Sequence, residues 1–197
     1  MFEPLVRSLV GHTHPSVRYL ALTELEGWDP QDPDVQAARG AIPAAPPVRA
    51  ILDAQYPAGY WMHADLGVSP RYRATVWQVL FLAQFGVGPI EAVVRAVGYL
   101  LDANCDEVGA FHLRGGVEGR SPALTGAVLW SLARIGLTEA PRLAQSWAWL
   151  HDRWAAGTLA PAARVWVLRA AAAWGREDWI PRLRPEPACQ PLRSLTF

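Results

Sequence analysis

The chain contains no lysine, two methionines and two cysteines (Cys105 and Cys189) in 197 residues. Two cysteines supply neither a disulfide framework nor a zinc quartet. There is no excess of charge either: 18 arginines face 18 acidic residues, and charged groups are only 18% of the chain. A neutral balance speaks against nucleic acid as a partner, because phosphates require a basic excess on some face. No apolar run reaches membrane-spanning length, so no membrane span is expected. The first residues, MFEPLVRSLVGHTHP, carry an acid at position 3 and no apolar centre, unlike a secretory signal. These absences give the expectation of a cytoplasmic protein. Strand-like alternation is scarce as well.

What is abundant is apolar and helical. Hydrophobic residues make up 51% of the chain, with ten tryptophans, enough to build a substantial core at this length. Apolar residues recur at three- and four-residue spacing. The pattern predicts helices over Glu3–Val10, Pro15–Leu25, Asp34–Ala41, Pro47–Ala54, Arg71–Phe85, Pro89–Ala103, Pro122–Ile135, Pro141–Trp154 and Pro161–Trp174. Many open on proline, whose missing N–H costs nothing in a first turn. Gly27, Gly86, Gly136 and Gly175 stand where left-handed helix caps belong. The fold class is all-α. Residues 1–180 read as one αα-repeat domain, with N-terminal helices over 1–46, repeats over 47–175, and an extended tail over 181–197.

The repeat has an offset of 50 residues. Gly59 aligns with Gly109, Trp61 with Phe111, Thr75 with Thr125, Leu82-Ala83 with Leu132-Ala133, and Gly86 with Gly136. A third copy drifts out of register at Gly175. Each unit reads as helix, glycine-aromatic turn, helix, and such a hairpin buries its apolar face only by stacking on a neighbour.

The first turn, Gln55-Tyr56-Pro57-Ala58-Gly59-Tyr60-Trp61, resembles the QxxDGxW motif of the squalene cyclase/prenyltransferase superfamily, with Ala58 in place of the aspartate. In the second turn, Cys105 to Phe111, the glycine and an aromatic remain. Gln55, Gly59, Trp61 and Gly109 are therefore expected to be structural: an amide closing open backbone groups at a helix end, a left-handed turn, and a ring packed over the hairpin. The stretch from Ser69 to Gln78 with Leu124-Thr125-Gly126 is similar to small bacterial squalene cyclase-like proteins. This resemblance covers about residues 47–175 and implies an incomplete α/α toroid, an open half-ring. Residues 15–25 resemble a HEAT-type helix. The catalytic motifs that the superfamily would imply are missing: no DxDD, no DDxxD, and no zinc-binding Asp-x-Cys, since two residues and not one separate Asp102 from Cys105. No cofactor or metal is implied, and an open half-ring is a poor place for carbocation chemistry, which requires water to be excluded.

The candidate ligand-binding residues are Tyr72, Arg73, Trp77, Phe111, His112, Arg114 and Trp130. The aromatics would hold an apolar body, and Arg71, Arg73, Arg114 and Arg120 an anionic head near a helix start with Thr75. The competing reading makes these rings core and these arginines solvated surface. His63, Cys105, Asp106 and His112 form only a soft metal set, and Asp53, Asp65, Asp102, Asp106 and Glu107 show no spacing that singles out an acid pair. Three functions follow in order of preference. The first is a non-catalytic binder of an apolar, isoprenoid-like ligand. The second is an αα-solenoid that docks a partner protein or a second copy of itself as a homodimer. The third is a divergent terpenoid cyclase- or transferase-type enzyme, or a hydrolase working from the turn loops.

Overall fold

A computed structural model describes residues 3–64, 68–113, 119–176 and 179. Among them lie nine α-helices: α1 (Glu3–Val10), α2 (Pro15–Leu20), α3 (Pro33–Ala41), α4 (Pro46–Asp53), α5 (Thr75–Gln84), α6 (Glu91–Ala103), α7 (Pro122–Ile135), α8 (Arg142–Ala155) and α9 (Pro161–Ala173). No strand occurs among the described residues, only the isolated bridges Cys105–Phe111 and His112–Arg120. The chain is all-α, and no described helix is long and apolar enough to cross a membrane. The tail proposed for 181–197 lies outside the described residues, as do Cys189, Asp65 and Arg114.

Most helix boundaries follow from local chemistry. The Asp32 carboxylate caps α3 by accepting from Asp34 N–H, and the Ser121 hydroxyl caps α7 by accepting from Leu124 N–H; proline occupies the next position in each. Gly27, Gly86, Gly136 and Gly175 all have left-handed backbone. Two boundaries differ from the periodicity. The helix expected over Pro15–Leu25 is α-helical only to Leu20 and continues as a π-turn over Ala21–Leu25. There the Thr23 hydroxyl donates to the Tyr19 carbonyl, competing with the ordinary ladder. The helix expected from Arg71 starts at Thr75, because Tyr72 has φ +66° and Ala74 is extended (φ −73°, ψ 167°). Arg71, Tyr72 and Arg73 thus lie in a turn ahead of α5, not in its first turn.

α5 and α7 are apolar all round and sit centrally, with seven and ten buried residues respectively. α7 packs chiefly on α9 and next on α5, while α6 lies against α5 and α8 against α7. The one-sided helices α6 and α8 bury Val93, Ala96, Val97 and Leu100, and Leu143, Ser146, Trp147, Trp149 and Leu150. Their polar faces point outward. One core cluster runs from Ile42 to Trp179. A small second cluster, Leu22, Val35 and Ala38, holds the N-terminal helices together.

Candidate functional site

Two turns, one after α4 and one after α6, are tied by the same bonds. In the first, Gly59 N–H donates to Tyr56 O at 2.9 Å and Tyr56 N–H to Tyr60 O at 2.9 Å. In the second, Gly109 N–H donates to Asp106 O at 3.0 Å and Asp106 N–H to Ala110 O at 3.1 Å. Gly59 and Gly109 have φ of +97° and +81°. A Cβ on Gly59 would stand 2.6 Å from the Arg95 carbonyl oxygen, and one on Gly109 2.3 Å from the Ser146 nitrogen. Only glycine meets both demands.

Each turn is then fastened to the helix that follows. Trp61 N–H donates to Thr75 Oγ1 at 3.1 Å, and Phe111 N–H to Thr125 Oγ1 at 3.0 Å. Both threonines are fully buried, so Thr75 is an internal tie and does not face a ligand mouth. Gln55 Nε2 donates to Gly59 O and, across to α6, to Ala92 O. With cysteine at the corresponding position of the second turn, the Gly109 carbonyl is served instead by the Ser146 hydroxyl of α8 at 2.7 Å. The Trp61 indole N–H closes on Ile51 O at 2.7 Å.

Beside the first turn lies a cavity of about 470 Å³. Ala50 and Ile51 of α4 with Ala54 at its C-terminal end form one wall, and Tyr56, Trp61 and Met62 of the turn another. Arg73, His63 and Gln78 supply its polar groups. Gln78 is nearly buried and donates to Tyr72 O. The Arg73 guanidinium makes no hydrogen bond or ion pair among the described residues. Among the described residues that line the cavity, Arg73 is the one with a permanent charge, and most of the others are apolar.

Of the described residues proposed to bind a ligand, Arg73 alone lines this cavity. Trp77 stands behind it: its indole N–H donates to Val68 O, and it meets Tyr72 edge-on at 5.3 Å with Arg71 over both rings. Phe111 is wholly enclosed in the core. Trp130 packs edge-on against Trp166 of α9, with Arg169 spanning the two rings at 4.6 and 4.8 Å. His112 lies 3.1 Å from Asp106 Oδ2, and Arg120 is engaged by Asp106 and Glu107. Arg120 is thus no free anion ligand. Arg114 lies outside the described residues.

The soft metal set does not assemble. Among the described residues no group of three or more His, Cys, Asp or Glu could hold a metal ion. Asp106 is consumed by its own turn, and burial pushes the Cys105 thiol up to about 11, with Asp106 adding to the rise and Arg142 opposing it. At neutral pH Cys105 is a buried thiol and not a nucleophile.

No family model, curated protein or solved structure matches this chain. Sequence reasoning missed most of the cavity wall. Ala50 and Ala54 leave the space because they are small and one helical turn apart, but in an alanine-rich chain such a pair carries no mark. Tyr56 and Gln78 carried a signal in hindsight, since they flank the turn and Arg73.

Proposed function

We propose that the chain is a small protein of the squalene cyclase/prenyltransferase type, an incomplete α/α toroid, that binds an apolar isoprenoid-like molecule without cyclase chemistry. The observation that carries this reading is the first-turn cavity, where an apolar wall of Ile51, Trp61 and Met62 meets Arg73 and His63, whose side chains have no partner among the described residues. Its volume falls in the range of small-molecule sites, which are mostly apolar with a few polar groups to fix orientation. The body of the ligand lies along α4, and an anionic head sits at Arg73. The shared hydrogen bonding of the two turns, 50 residues apart, supports the repeat reading behind the toroid.

The test is calorimetry on the full chain with farnesyl diphosphate and, as its uncharged counterpart, farnesol. The diphosphate should bind saturably and more tightly. Arg73→Ala should weaken it about tenfold, the worth of one charged hydrogen bond. Ala54→Leu, which narrows the cavity from the exposed cap position after α4, should weaken both ligands. Absence of saturable binding, or equal affinity for the diphosphate in wild type and Arg73→Ala, would sink the proposal.

A further inference from the structure

The net charge of zero is spread unevenly along the chain. Between Asp152 and Glu177 stand four arginines, Arg153, Arg164, Arg169 and Arg176, and no acid. Between Arg18 and Arg39 stand five acids, Glu24, Glu26, Asp29, Asp32 and Asp34, and no base. α9 carries two of the arginines. It buries Ala163, Val167, Ala170 and Ala171 against the core. At 3.6 residues per turn its opposite side presents Val165, Leu168 and Ala172, with Arg164 on one flank and Arg169 on the other. Val165 is 54% exposed. Arg164 lies over the Trp154 ring and donates to Leu159 O, and Arg169 lies over Trp130 and Trp166. Neither has an acidic partner among the described residues. The face is thus an apolar strip between two uncompensated positive charges.

The acidic stretch is its counterpart. Leu25 is 56% exposed and Trp28 39%, and both stand beside the exposed carboxylates Glu26 and Asp29. Arg134 engages Glu24 and Arg18 engages Asp34, whereas Glu26, Asp29 and Asp32 have no cationic partner among the described residues. Two α9 faces brought together would oppose like charges, as would two acidic stretches, and such juxtaposition is costly. One face of each kind pairs opposite charges and covers apolar surface on both sides, with a tryptophan and two arginines as anchors. We propose that α9 docks a second copy of this chain through that copy's stretch from Glu24 to Asp34. Leu25 and Trp28 lie on the strip of Val165, Leu168 and Ala172, and the carboxylates face Arg164 and Arg169. The contact joins unlike surfaces, so copies meet head to tail, in a closed ring or an open row. This surface is independent of the site at Arg73.

Sedimentation velocity of the full chain over a concentration series, in about 0.05 M and about 0.5 M salt, tests it. The protein should associate reversibly, and the higher salt should weaken association at least about tenfold. Arg164→Glu with Arg169→Glu should stay monomeric, as should Glu26→Arg with Asp29→Arg, because each pair sets like charges across the contact. Mixing the two double variants should restore association, since each reversed face then meets its opposite. Loss of fold is not rescued by mixing. Trp28→Ala should weaken association about tenfold. A wild type that stays monomeric at about 0.5 mM in low salt overturns the proposal. Undiminished association in either double variant overturns the assigned faces, and a mixture that stays monomeric overturns their direct pairing.

Discussion

Asp106 has work for both of its oxygens. Oδ1 accepts from Val108 N–H at 3.1 Å and Ala110 N–H at 2.9 Å, while Oδ2 faces Arg120 and His112. Its side chain is 7% exposed and that of Arg120 15%. Burial opposes ionisation of this carboxyl. The Ala110 N–H, the Arg120 guanidinium and His112 together outweigh it and hold the group below the ordinary carboxylate range. A depressed folded value means that ionised Asp106 adds stability above the unfolded value, near 3.9, and that this contribution is lost as pH falls toward the folded value. Asp106→Asn keeps the shape but leaves the mostly buried Arg120 with the exposed Glu107 as its remaining charge partner among the described residues, and should cost roughly 2 kcal/mol at pH 7. In urea melts from pH 6 down to pH 2.5, the wild type should lose stability below about pH 4, while the variant shows a flatter acid slope. Equal slopes would mean that Asp106 is not the group responsible. The sequence offered Asp106 as one of several acids that form no marked pair and as a soft metal ligand. Its arginine partner comes from 14 residues downstream, a pairing that only the closed turn creates.

At the scale of elements, one side chain of α3 reaches the ends of both central helices. Arg39 donates from Nε to Gly86 O at 3.2 Å, and from one terminal nitrogen to Arg134 O at 3.1 Å and Ile135 O at 3.3 Å. It thereby satisfies carbonyls at the end of α7, which a helix terminus leaves open. Its guanidinium also lies 5.4 Å from the centre of the Tyr19 ring. Replacing Arg39 with alanine should cost about 2–3 kcal/mol in urea unfolding. Lysine should recover little of this, since a single ammonium cannot reproduce a planar fork aimed at several carbonyls. Full recovery by lysine would reduce the role of Arg39 to its charge. The helices themselves were legible because period, proline starts and glycine ends agree along the chain. The start of α5 was not. The Arg71–Arg73 stretch has ordinary helix formers, and nothing in their identity announces that Tyr72 adopts a left-handed backbone.

Across the whole molecule, burial is uneven. The main cluster draws on every helix from α4 to α9, whereas α1 buries no residue and α2 and α3 rest on a cluster of three side chains. Legibility follows the same division. The central helices α5 and α7 stand out in composition, since most of their positions are apolar. The first-turn cavity was out of reach, because it is bounded by segments apart in sequence, α4 with Arg73 and Gln78. Which surfaces converge is a property of packing that periodicity does not encode. The uneven core also predicts uneven opening, since regions with few buried apolar contacts unfold locally at lower free energy. In hydrogen exchange followed by mass spectrometry, amides of α2 and α3 should exchange at least about tenfold faster than those of α5 and α7. Arg39→Ala should widen that gap, speeding α3 while leaving α5 nearly unchanged, because it removes the tie and not the core. Uniform protection across both regions would mean that the N-terminal helices open only with the whole chain, and that the small cluster and Arg39 suffice to make one cooperative unit.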